Sequence, residues 1–283
     1  MNKKIAISGA SGFVGRSVGR FLAETGYQTI SLVRKNRANF GRTIISKDLA
    51  EKNLSRQLGG FLAFLHFIGT GRQTAEHDYE TVNVGLTRNA ISLCKRAGIR
   101  KIVYLSGLGV DKKSNLGYFI SKFKAEQEII RSGLDYTIFR PSYIMGRGDP
   151  LSKMLSDQIA AGSVVVPGSG KYRLQPILVH DVAQVVAKSI HGKHFSRKII
   201  DLVGPQTVTY DRFVRDLVGK AKIRHVEFEQ AYHEALVSRD SQFGVDDLSI
   251  LVGDYVGSHR RLANISKMTF TGYREMLKAC SLS

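Results

Sequence analysis

Tyr118 and Lys122 stand four residues apart in the run Tyr118-Phe119-Ile120-Ser121-Lys122, which puts a phenol and an ammonium on one face if the segment is helical. In nicotinamide chemistry such a pair has a use. The lysine binds the nicotinamide ribose and, with the positive oxidised ring, lowers the pKa of the tyrosine, which transfers a proton while hydride moves. The spacing alone proves little, because a chain with 11 tyrosines produces such pairs by chance. What raises it is its place after the strand-like segment Lys101–Ser106.

A second group of residues supplies a site for a dinucleotide. Lys4-Ile5-Ala6-Ile7-Ser8 reads as a short buried strand, followed at once by Gly9-Ala10-Ser11-Gly12-Phe13-Val14-Gly15 and a helical pattern from Val18 to Thr25. In the order strand, glycine turn, helix, Gly9 permits the tight turn and Gly12 lets a pyrophosphate approach the main chain. Gly15 lets the helix pack closely on the strand. The helix N-terminus then offers N–H groups and a positive dipole end to the phosphates. Ser11, Phe13 and Val14 complete this turn; Ile68 and Gly69, at the end of the fourth strand, join the expected cofactor-binding set.

About twenty residues after Gly15, where an Asp or Glu would accept the ribose 2′-hydroxyl of NAD, the chain has Arg34, Lys35 and Arg37. Arg34 suits a 2′-phosphate bidentately, so the sequence prefers NADP(H), with NAD(H) as the alternative; a solvated basic turn is the plain structural reading. Asp48-Leu49 falls where the adenine ring would lie. Asp48 either accepts the adenine amino group or caps its own turn.

These residues need a scaffold, and the pattern predicts one. Strands at Lys4–Ser8, Thr29–Val33, Thr43–Ser46, Phe61–Ile68, Lys101–Ser106 and Asp135–Arg140 alternate with helices, among them Tyr79 to Ala97 and Tyr118 to Ser132. Alternation of this kind predicts an α/β fold, a Rossmann-type doubly wound parallel sheet. Pro141 and Pro150 end the regularity. Residues 1–150 are expected to form the dinucleotide-binding core, with segments returning to it up to about 220, and residues 151–283 mostly a small mixed α/β cap. That cap holds strand-like Ser163–Pro167 and Lys198–Leu202 and helices near Asp181–Ile190 and Tyr210–Gly219, and residues 223–283 match no pattern with a role.

Composition narrows the class. A 283-residue chain that is 43% hydrophobic and 23% charged reads as globular. No apolar run approaches the roughly 18 residues of a membrane span, and no signal peptide is visible. Cys94 and Cys280 suggest neither disulfide nor zinc site and fit a reducing, cytoplasmic compartment. The net charge of +18 is uneven: residues 1–211 carry 31 Lys and Arg against 15 Asp and Glu, and 212–283 carry 11 against 9. An acidic protein partner, nucleic acid, an anionic membrane surface and a merely basic surface are all open. The basic residues are scattered, with no aromatic-and-basic sheet motif, so specific nucleic-acid recognition is not expected.

Taken together, Gly9-x-x-Gly12-x-x-Gly15, Asn83 in Val82-Asn83-Val84, Tyr104-Leu105-Ser106, Tyr118-x-x-x-Lys122 and Arg140-Pro141-Ser142 resemble the extended and atypical short-chain dehydrogenase/reductases over roughly residues 3 to 220. Tyr104 to Gly109, Thr137 to Ser142 and Gln175 to Ala183 look most like one subgroup, the NAD(P)-binding accessory subunit of respiratory complex I and its prokaryotic epimerase/dehydratase-like relatives. The resemblance implies that Asn83, Tyr118 and Lys122 are the family's catalytic asparagine, tyrosine and lysine, with Ser106 as provisional carbonyl polariser. In many members the working hydroxyl comes one position later, which here is Gly107. Pro141 marks either main chain beside the nicotinamide or a strand end. Two functions follow: an oxidoreductase or epimerase-like enzyme on a small carbonyl or hydroxyl substrate, or a non-catalytic nucleotide-holding subunit of an assembly, peripheral to a membrane complex. His180-Asp181 reads as a catalytic pair or, more simply, as Asp181 capping a helix from Val182. His191 and His194 lack a carboxylate or cysteine to complete a metal set.

Overall fold

The computed structural model describes residues 3–35, 40–74, 77–238, 241 and 243–280. Arg37 lies outside them. Seven strands, β1 (Lys4–Ser8), β2 (Gln28–Val33), β3 (Arg42–Ile45), β4 (Ala63–His66), β5 (Lys101–Leu105), β6 (Asp135–Pro141) and β7 (Lys198–Leu202), form one sheet in the order β7-β6-β5-β4-β1-β2-β3. Every pairing is parallel, with Ile5 opposite Thr29 on one side and Ala63 on the other. These strands are near-continuous apolar runs because helices cover both faces.

Alternation within β1 divides the core. Ile5 and Ile7 face α1 (Phe13–Glu24) and a later helix, Val179–His191, through Val18, Leu22, Val182 and Val186. Ala6 faces the other way, with Phe64 and Ile102, toward α2 (Leu86–Ala97) and α3 (Gly117–Arg131) through Ala90, Leu93, Ala125 and Ile129. The chain order reverses between β1 and β4, and ligands of open α/β sheets bind in the crevice outside the carboxyl ends of the strands at that point. Ser8 and His66 end those two strands.

Three local readings need correction. The helix expected over Tyr79 to Ala97 is not uniform: Glu80–Gly85 winds as a wider π-type turn before α2 begins. The fourth strand is Ala63–His66, shorter than Phe61–Ile68. Pro150 does not merely break structure; it sits in the first turn of the helix Pro150–Ala160, with Asp149 accepting from Ser152 N (2.9 Å) as the N-cap.

Beyond β6 the chain adds a smaller layer of two-stranded pairs. Val164–Pro167 pairs with Ile223–Val226, Arg173–Leu174 with Val208–Thr209, and Ile177–Leu178 with Ile144–Met145. A third cluster around Met145, Leu155, Tyr210 and Phe213 fills it. β7 and the helix Val179–His191 return to the main sheet. That helix starts at Val179, so Asp181 is not its cap. Its carboxylate instead accepts from Thr271 N (2.8 Å) and Thr271 Oγ1 (3.2 Å), fastening the C-terminal segment, while His180 packs edge-on against Phe21.

Candidate active site

The turn after β1 shows which glycines serve packing and which leave room. Gly9 has φ +72°, and a Cβ there would stand 2.6 Å from the Phe67 carbonyl carbon and 2.8 Å from Ile68 N. A Cβ on Gly15 would stand 2.2 Å from Gly9 O. Both must be glycine for the turn to close. Gly12 differs: its φ is −74°, and the nearest atom to a Cβ is Gly9 O at 3.3 Å. A Cβ there asks for a shift of a few tenths of an ångström, far less than at Gly9 or Gly15. Gly12 is also the N-cap of α1, with no side-chain capping bond and no acidic residue in the first turn. The first N–H groups of the helix therefore have no intrachain side-chain acceptor, and this end attracts anions.

Arg34 is exposed just past the end of β2, and no hydrogen bond or ion pair holds it among the described residues. Arg16, which directly follows Gly15 and was missed in the sequence, borders the same turn with its Nη1 donating to Ser11 O (3.0 Å). A basic residue immediately after the third glycine was the available signal. Asp48 is used as a turn cap: its Oδ1 accepts from Ala50 N (3.0 Å). Leu49 is 2% exposed and takes φ +69°, and its side chain is core packing on Leu54 and Leu58, not a surface for a ring.

Lys122 is 5% exposed, one helical turn beyond Tyr118 on α3. Its ammonium donates to Leu105 O (3.0 Å) and Tyr104 Oη (3.3 Å), and a Cβ on Gly69 would stand 2.8 Å from it. Burial lowers its pKa to about 8, against the opposing influence of Glu126. Burial also pushes the Tyr118 phenol up to about 12. In the protein alone, then, Lys122 does not depress Tyr118 as the spacing suggested: it is aimed at Tyr104 and the Leu105 carbonyl, 6.0 Å from the Tyr118 ring centre.

Asn83 lies in the π-type turn and is fully buried. Its Oδ1 accepts from Thr70 N (2.9 Å), and its Nδ2 donates to Thr70 O (3.1 Å) and Ser121 Oγ (2.9 Å). It holds the segment after Gly69 against α3, which is a positioning task. Behind it, Thr87 Oγ1 donates to Asn83 O (2.7 Å), so His66 Nε2 must donate to Thr87 and its Nδ1 accept from Ser8 Oγ (2.8 Å). Burial and the charge on Lys122 drive the His66 pKa down to about 3, leaving a neutral ring stacked on Tyr104.

Ser106 is 4% exposed, and its Oγ has no hydrogen-bond partner. It lines a cavity of about 300 Å³ with Gly107, Tyr118 and Pro141. A Cβ on Gly107 would stand 3.1 Å from Tyr118 Oη, so a residue at 107 lies directly against the phenol and this chain carries no hydroxyl there. Part of the same lining comes from residues that carry no motif: Ile250, Leu251 and Tyr255. Side chains hold that wall. Tyr79 Oη donates to Asp246 (2.7 Å), Arg72 pairs with Asp247, and Arg173 with Asp254 (2.8 Å). No set of three or more metal-ligating side chains occurs among the described residues, and none of their helices is long and apolar enough to cross a membrane.

Comparison with known proteins agrees with this geometry. Residues 9–193 match the family described as NAD(P)H-binding. A ceramide reductase of Caulobacter vibrioides is 32% identical over 186 residues, which is 63% of this chain and 58% of that protein. Subunit 9 of the NADH dehydrogenase [ubiquinone] 1 alpha subcomplex from Rattus norvegicus mitochondria is 26% identical over 225 residues, 75% of this chain and 60% of that one. The matched stretch thus spans about 60% of these relatives' own length. Among solved structures, MoeE5 in complex with UDP-glucuronic acid and NAD superposes with a TM-score of 0.78 at 17% identity, covering 98% of this chain and 97% of that one, a likeness of fold.

Proposed function

The chain belongs to the NAD(P)H-binding family, within the atypical short-chain dehydrogenase/reductases, and on that premise we propose that it is an NADP(H)-dependent reductase of a small carbonyl compound. The observation that carries this reading is the pairing of the Tyr118 phenol with the unpaired, buried Ser106 hydroxyl on one cavity, with buried Lys122 one turn behind. The space at Gly12, the uncapped start of α1 and the unpaired Arg34 suit a phosphorylated dinucleotide. Arg34 and Arg16 would hold the 2′-phosphate, the first N–H groups of α1 the pyrophosphate, and Lys122 the nicotinamide ribose. Bound NADPH supplies the hydride. Tyr118, kept protonated by burial, gives its proton to the carbonyl oxygen, and Ser106 donates a hydrogen bond to the same atom. A phenol in its acid form is the form that donates a proton in the reductive direction. The Caulobacter relative, a reductase by name, supports the same direction.

The test is Tyr118→Phe. NADPH affinity is expected to stay within about twofold while kcat falls on the order of 10²- to 10⁴-fold. A second reading, a nucleotide-holding subunit docked on an acidic partner at a membrane complex, is favoured by the likeness to the rat subunit and by Gly107. Unchanged turnover in Tyr118→Phe would assign the proton to another group, and NADPH binding with no turnover in the parent would sink the reductase and leave the subunit reading standing.

A further inference from the structure

We infer that the substrate of this site is an uncharged ketone with an apolar body, not a sugar nucleotide; the inference rests on the reductase reading and names its substrate class. The cavity beyond Tyr118 is walled by aromatic and aliphatic side chains, among them Phe119, Leu174, Leu251 and Tyr255. Its volume of about 300 Å³ lies at the small end of ligand pockets. A nucleoside diphosphate brings at least two negative charges, and burying them requires cations and directed donors.

Among the described residues the lining offers one charged group, Arg173, and it is already paired. Its Nε and Nη2 donate to Asp254 Oδ2 (3.0 and 2.8 Å), and its backbone N donates to Asp254 Oδ1 (2.7 Å). The polar side chains around it are committed as well. Tyr172 Oη donates to Pro167 O (2.9 Å), Tyr143 Oη to Asp149, and Ser142 Oγ accepts from Gln175 N (3.0 Å). What remains buried and unpaired among the lining side chains is neutral: Ser106 Oγ and Tyr210 Oη. Two hydroxyls suit the oxygens of a ketone or hydroxyketone. They do not neutralise a pyrophosphate. The basic residues without an acidic partner at the site, Arg34 and Arg16, lie at the dinucleotide turn and are assigned to the cofactor.

The experiment titrates the full chain, loaded with NADPH, with methyl ketones from hexanone to decanone and, separately, with UDP-glucose. Calorimetry follows binding and the loss of NADPH absorbance follows turnover. Each added methylene is expected to raise ketone affinity and kcat/KM about fourfold until the cavity is full, with no UDP-glucose binding. Leu251→Ala is expected to flatten that rise while NADPH binding holds. A flat series, or UDP-glucose binding tighter than any ketone, overturns the substrate class. Ketones that bind with the rising series but are never reduced support this inference and count against the reductase instead.

Discussion

Gly12→Asp separates a glycine kept for a ligand from one kept for packing, because the structure gives its two effects opposite signs. Gly12 has φ −74° and ψ 166°, a backbone any residue adopts, and a new Cβ meets only Gly9 O, at 3.3 Å. It caps a helix that has neither a side-chain cap nor an acidic residue in its first turn. An Asp there adds a side-chain cap and a negative charge at the helix start, worth about 0.5–1 kcal/mol, less the small backbone adjustment. The melting temperature of the nucleotide-free protein is therefore expected to hold or rise by about 1–2 °C. The same carboxylate would lie beside the pyrophosphate. At roughly 4 Å and an effective dielectric near 20 the repulsion is about 4 kcal/mol, or on the order of a thousandfold in Kd. Gly15→Ala is the control: its Cβ would stand 2.2 Å from Gly9 O, so it should cost about 1–3 kcal/mol and lower the melting temperature. Nicotinamide fluorescence titration and thermal melts without nucleotide read the two quantities. If Gly12→Asp binds NADPH within threefold of the parent, or melts as low as Gly15→Ala, the reasoning is wrong.

Three further outcomes follow from the site. With Lys122 titrating at about 8, ketone reduction should be flat below that pH and fall above it as the ammonium is lost; Lys122→Arg, which stays charged, should remove that limb. A limb that persists at the same pH in the arginine variant assigns it elsewhere. His66 is held near 3 in the folded chain against 6.5 unfolded, so the unfolded state alone takes up the proton between those values. Stability is then lost as pH falls below about 6.5, by about 1.4 kcal/mol per unit. Urea unfolding at neutral pH and about 1.5 units below 6.5 should differ by about 2 kcal/mol, and equal midpoints would contradict it. Ser106→Ala removes a hydroxyl that no intrachain group satisfies, so stability should be unchanged or higher while kcat drops on the order of tenfold to a hundredfold; a loss of stability with full turnover would make Ser106 a strand-end residue only.

The half of the site that lies along one short stretch could be read from the sequence. β1, the glycine turn and α1 are contiguous, so the close approach at Gly9 and Gly15 follows from strand and helix periods alone. The expectation at Arg34 rests on the length of one βα unit. The parallel sheet followed from alternation. What could not be read depends on contacts between distant segments. The orientation of Lys122 toward Leu105 O is set by how α3 lies on β5, and spacing fixes only the face, not the aim. Asp181 satisfied the pattern of a cap, yet its partner is Thr271, ninety positions on. The π-type turn at Glu80–Gly85 has no residue signature of its own. Residues 245–256 carry no motif because their task is shape: Ile250, Leu251 and Tyr255 matter as surface against the cavity.

That last segment has a consequence for how the molecule can change. Tyr118, Lys122 and the glycine turn all sit between Gly9 and Pro141, whereas Ile250, Leu251 and Tyr255 of the cavity wall come from a stretch beginning at Val245, held by the Leu174–Tyr255 bridge, by ionic and hydroxyl tethers and by the packing of Leu248 against Val165 and Ala231. One part of the cavity's surface is thereby encoded apart from Tyr118 and Lys122. Drift in that part can retune what is accepted while leaving the reaction intact, and a graft of that wall alone is the shortest route to a new selectivity.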